Sequence, residues 1–145
     1  MIATVKHFIS SLISDEHPEF DNTLAIASLL CEVCIADHHL SADEKIVATR
    51  SLEKVLNVNA EKAAELLSVG MQEAKSSQSV FDFTSQLGDL EREQRIELIK
   101  VMWQVAYADG HLDEMEEALI RKVATLIYVN HSDFIRTKLA VMPQS

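Results

Sequence analysis

Four carboxylates stand at a repeated spacing: Asp37 is followed seven residues later by Glu44, and Asp109 by Glu116. Oxygen donors of this kind suit a hard divalent cation such as Mg²⁺ or Ca²⁺, and a concentrated negative region equally suits a basic partner surface. His39 and His111 each follow the first acid by two residues, and Asp113 precedes Glu116. A mixed imidazole and carboxylate set for Mn²⁺ or Zn²⁺ is therefore a second reading. Cys31, Cys34 and His38 fall at i, i+3 and i+7, a spacing that could also offer zinc two sulfurs and an imidazole.

Each of these residues has a plainer explanation. Ser41 with Glu44, and Asp113 with Glu116, read as capping boxes, which need no ligand. Asp37 and Asp109 are harder to dismiss, because an acid at a helix C-terminus is unfavourable by roughly 0.3–1 kcal/mol. Either each carboxylate folds back onto loop amides as an Asx turn, or it meets a cation or a positive helix end. The run Asp109 to Glu116 imitates the second half of an EF-hand loop, but the ligand positions of the first half would fall on Val105 and Tyr107, so calcium by that mechanism is rejected.

The elements that must carry these residues are helices. The 145 residues make one domain and contain only 3 Gly and 2 Pro, too few for a sheet built from hairpins. Val5, Phe8, Ile9, Leu12 and Ile13 follow helical spacing, and the stretch from Asn22 to Ala36 is apolar in nearly every direction, as a central buried helix is. Ser41 opens a helix to about Leu56, and Asn59 another towards Met71. After Ser76–Ser79 come a short helix around Val80–Leu87, a second broadly apolar helix capped by Asp89 and running to Ala108, a helix from Asp113 to about Tyr128, and a last one after Asn130.

The second half reads as a copy of the first. At an offset of 72, Ala36-Asp37-His38-His39-Leu40-Ser41 lies over Ala108-Asp109-Gly110-His111-Leu112-Asp113, and Glu44 lies over Glu116. A one-residue gap then brings Val58-Asn59 over Val129-Asn130. The expectation is a single-domain, all-α bundle of about 7–8 helices, internally duplicated over residues 20–72 and 89–142. A pseudo-two-fold axis would make the two central helices antiparallel neighbours and could bring all four carboxylates to one region. The same register sets Cys31, Cys34 and His38 over Trp103, Ala106 and Gly110, which places the cysteines in the core.

The run Ala108-Asp109-Gly110-His111-Leu112-Asp113-Glu114-Met115-Glu116, with its degenerate copy at Ala36–Glu44, resembles the mark of the TerB-like tellurite-resistance domains. Members of that family are compact, all-helical and internally duplicated, and the resemblance covers nearly the whole chain. It implies an acidic cluster at Asp37, Glu44, Asp109 and Glu116, proposed in the family to bind metal, with His39, His111 and Asp113 as possible additions. The same module stands at the front of a membrane-anchored J-domain co-chaperone. His38 stands where the second copy has Gly110, a departure from the pattern.

Composition limits the remaining classes. A formal charge of −10 argues against nucleic acid as partner. The longest apolar stretch, Leu24–Ala36, is too short to span a bilayer and carries Glu32, and no leader pattern opens the chain, so a cytoplasmic protein with reduced thiols is expected. Association with a membrane surface stays open. No phosphate loop, nucleophile elbow or metalloprotease motif is present.

Three readings follow. The first is a non-enzymatic binding domain in tellurite, metal or general stress response, holding a divalent cation or a basic partner at the acids. The second is a co-chaperone-like interaction module with an apolar groove, and the third a metal-dependent hydrolase. No cofactor is certain, and a protein partner or a homodimer is expected. Eight of the 23 acids fall in the windows 37–44 and 109–117, which contain no Lys or Arg.

Overall fold

The computed structural model describes residues 19–36 and 41–142. The helix expected around Val5–Ile13 and the residues Asp37, His38 and His39 lie outside them. Seven helices and no strand occur among the described residues: α1 (Glu19–Ile35), α2 (Ala42–Leu56), α3 (Ala60–Ser76), α4 (Phe81–Thr84), α5 (Arg92–Ala106), α6 (Glu114–Leu126) and α7 (His131–Val141). The chain is thus an all-α bundle.

Its centre is α1 and α5, which pack directly on each other. Ala25, Leu29, Leu30, Val33 and Cys34 on α1, and Ile99, Met102, Trp103 and Val105 on α5, are buried. Such all-round apolar faces require neighbours on every side. Helix α1 has α2, α3, α4 and α6 around it, and α5 has α2, α6 and α7. The amphipathic outer helices turn one stripe inwards. On α2 the buried residues are Glu44, Ala48, Ser51 and Leu52, and on α6 they are Glu116, Ile120, Val123 and Ala124, the same four positions at an offset of 72.

Local chemistry sets the helix ends. Asn59 Oδ1 accepts the Lys62 N–H at 2.8 Å and Asn130 Oδ1 accepts the Asp133 N–H at 2.8 Å, opening α3 and α7. At their far ends α2 and α6 close in the same way. Asn57 (φ 54°) and Tyr128 (φ 64°) turn left-handed, and the next N–H in each case, Val58 and Val129, bonds back to Glu53 O at 3.2 Å and Ala124 O at 2.8 Å. One start differs from expectation. Helix α5 is capped by Glu91, whose N–H donates to Gln94 Oε1 at 2.8 Å, so it begins later than an Asp89 cap would place it. The capping box of Glu91 and Gln94 is reciprocal, and that local advantage decides the boundary.

Between the halves, Ser77 and Ser79 make successive serine turns: Ser77 Oγ accepts the Ser79 N–H and Ser79 Oγ accepts the Phe81 N–H. The polar linker is therefore an ordered corner feeding α4.

Candidate functional site

The first turns of α2 and α6 hold the second acid of each pair. Ser41, in extended conformation, accepts the Glu44 N–H on its Oγ at 3.1 Å. Asp113 accepts the Met115 N–H at 2.8 Å, and its own N–H donates to Glu116 Oε1 at 3.1 Å, the reciprocal half of a capping box. The capping box is therefore realised at Asp113 and Glu116, and at Ser41 the side-chain cap is formed. Capping does not account for the depth of the two glutamates, since Glu44 and Glu116 are each only 2% exposed. A cap at the surface needs no such burial, and carboxylates are rarely this deep without a reason.

The environment of Cys34, in the last turn of α1, links the two acids. Burial first, then the negative charges of Glu44 and of Glu116, push this thiol up to about 12. One sulfur thus feels carboxylates that lie 72 residues apart in the chain, and the end of α1 is where the two helix starts converge. Cys31, one turn earlier, is raised by burial, then by Cys34 and Glu32, and donates from Sγ to Leu67 O at 3.3 Å. Both cysteines are free and buried, as the core reading expects. Protonated buried thiols of this kind are poor nucleophiles and poor metal ligands.

The first acids of the pairs are placed differently. Asp109 is exposed, and its Oδ1 accepts the His111 N–H at 3.0 Å, an Asx turn. Gly110 between them has φ +87°, and a Cβ there would meet nothing within 4 Å, so backbone conformation alone calls for glycine. His111 is exposed as well, and Asp113 is half-buried. Asp37 and His39 lie outside the described residues, three and five positions beyond Cys34 in the chain. Among the described residues, no three His, Cys, Asp or Glu side chains come together as a ligand set. Of the candidate ligands of this region that are described, Glu44 and Glu116 lie deepest, and carboxylate oxygens are the donors that a hard cation takes.

Beside this region runs a shallow groove of about 350 Å³ between the end of α1 and α6, lined by Glu32, Ile35, Met115 and Leu119 among others. Met115 is 57% exposed at its edge. Burial raises the Glu32 carboxyl above the ordinary carboxylate range.

Two charged features had no signal in the sequence. Asp133, 2% exposed, receives Arg92 Nη2 at 2.9 Å and Arg136 Nη2 at 2.5 Å, tying the start of α7 to the start of α5. A cleft between α2 and α5 gathers Arg50, Lys54 and Lys100. Arg92 and Asp133, and Lys100 and the two cations of α2, are far enough apart in sequence to be found only once helices cross.

The family model described as tellurite resistance protein TerB matches residues 23–139, from within α1 to the last turns of α7. No curated protein and no solved structure matches the chain. No helix among the described residues is long and apolar enough to cross a membrane.

Proposed function

The chain belongs to the TerB tellurite-resistance family, and from that membership we propose that it is a non-enzymatic binding domain of a tellurite, metal or general stress response. Its working region is the acidic one at the end of α1, where Glu44 and Glu116, with Asp109 and, by its place in the motif, Asp37, take a divalent cation or the basic surface of a partner protein. The observation that carries this reading is the burial of Glu44 and Glu116, each 2% exposed, in the first turns of α2 and α6.

Of the described acids, Glu44 and Glu116 would hold a cation, with the exposed Asp109 and His111 at the mouth of the loop. A cation there supplies charge balance and cross-links the starts of α2 and α6. No reaction step is assigned to it.

Thermal melts of wild type and of Asp37→Asn/Asp109→Asn against Mg²⁺, Ca²⁺, Mn²⁺ and Zn²⁺ test the cation. At a free concentration of 100 Kd, binding raises stability by about 2.7 kcal/mol, and the double variant loses that gain. A wild type indifferent to all four ions, or a variant that responds equally, ends the cation reading.

The groove beside Met115 supports a second reading, a co-chaperone-like interaction module. Capture of a partner that survives the Asn substitutions but is lost in Met115→Glu favours the groove over the acids.

A further inference from the structure

A few residues along the chain from the acids, the cleft between α2 and α5 concentrates the opposite charge: Arg50 follows Glu44 by six residues on α2. Arg50 and Lys54, one turn apart on α2, and Lys100 on α5 line an open cleft of about 810 Å³ that also takes in Gln104, Tyr107 and Val141. The chain has 13 Lys and Arg against 23 Asp and Glu, so unpaired cations are not forced by composition. Even so, the ion pairs of the described residues are Arg92–Asp133, Arg136–Asp133 and Lys138–Glu117, none of which uses these three. Glu53 is the one acid among the lining residues. Like charges an i, i+4 step apart on one wall, faced by a third on the other, repel one another in the free protein.

We propose that this cleft is a docking groove for an acidic peptide segment of a partner protein, separate from the acidic region at the end of α1. Three features select that occupant. Cations on both walls match a carboxylate-bearing strand running between them. Gln104 offers a side-chain amide, while Tyr107, Val47 and Val141 offer apolar surface, the mixture that a peptide needs and a bare ion does not. The cleft is also open and Arg50 and Lys54 are exposed, unlike an enclosed pocket that wraps a single small anion in converging donors. A long phosphate backbone would meet three cations and then the field of a chain at −10, which disfavours nucleic acid.

The test uses the full chain at low salt with a fluorescein-labelled decaglutamate peptide as the probe, read by anisotropy. The comparison is between Arg50→Gln/Lys54→Gln in the groove and Lys62→Gln/Lys75→Gln on α3, which removes the same charge elsewhere. Lys100→Gln serves as a second groove variant on the other helix, and circular dichroism melts confirm that each variant folds. We expect the groove variants to bind about tenfold more weakly and the α3 variant to bind within about twofold of wild type. Equal losses in the groove and α3 variants would reduce the effect to net charge and overturn the proposal. So would displacement of the probe by inorganic phosphate at matched ionic strength, or tighter binding of a duplex DNA oligonucleotide. Sedimentation of the chain alone supplies the last outcome: a dimer that the groove variants dissolve makes a second copy the occupant and overturns the assignment to a partner.

Discussion

Two helix crossings in the bundle are filled with groups of very different volume. Where α1 meets α3, the contact is made of small groups: a Cβ on Gly70 would lie 2.9 Å from the Ala27 carbonyl carbon, and Cys31 donates to a backbone carbonyl of the facing helix. Where α5 meets α7, the contact is aromatic: the Trp103 and Phe134 rings are 5.1 Å apart and the Lys138 ammonium stands 5.6 Å from the Trp103 ring centre. In the offset registers Cys31 pairs with Trp103, Ala63 with Phe134 and Leu67 with Lys138. One crossing is made by close backbone approach and the other by ring packing with a cation over it.

The largest test of that contrast is truncation at the paired positions. Trp103→Ala is expected to cost about 3–5 kcal/mol and Cys31→Ala about 1 kcal/mol, read from urea denaturation, because the first empties a ring-sized volume and the second little more than one atom. Equal losses would mean that the α5–α7 contact does not depend on its rings. Next in size is Gly70→Ala, which favours the helix backbone yet drives a methyl into α1; a net destabilisation of about 1–3 kcal/mol is expected, and a gain would show that α1 and α3 stand further apart than described.

Smaller effects separate the two capping regions. Asp113→Ala should cost about 1–2 kcal/mol and Ser41→Ala about 0.5–1 kcal/mol, since Asp113 also brings a negative charge to the helix start. The reverse order in melting temperature would break that ranking. At the far ends, Tyr128→Gly is expected to stabilise by about 0.5 kcal/mol, and Asn57→Gly to be neutral, because asparagine tolerates the left-handed region better than tyrosine. Tyr128 is 86% exposed, so little packing is lost.

At neutral pH the thiols contribute nothing that varies with pH, but alkali exposes them. Cys34 rises from an ordinary 9.0 to about 12 on folding. A raised folded-state value means that the associated stability is full below about 9 and is lost as pH climbs through the window up to about 12. Cys34→Ala should flatten the alkaline fall in denaturation midpoint, and an unchanged slope would place that thiol in water.

Much of this was legible in the chain itself. Helical class followed from scarce glycine and proline and from apolar spacing, and the caps at Ser41, Asn59, Asp113 and Asn130 were readable because a cap is made within four residues. The cap at Glu91 was missed because Asp89 offered a rival signal two residues earlier, and only the reciprocal bond to Gln94 decides between them. The depth of Glu44 and Glu116 was also missed, since a first-turn glutamate normally faces water.

By itself, then, the sequence determined what short range controls: the helical class, most of the helix starts among the described residues, the buried cysteines, and two acids at matching positions in α2 and α6. Tertiary structure alone decided which groups meet. That both acids act on Cys34, that Arg92 closes on Asp133, and that Lys100 faces Arg50 and Lys54 all depend on where helices cross. Periodicity tells which face of a helix turns inwards, and the crossing of packed surfaces, reached across tens of residues of chain, chooses the neighbour that face will have.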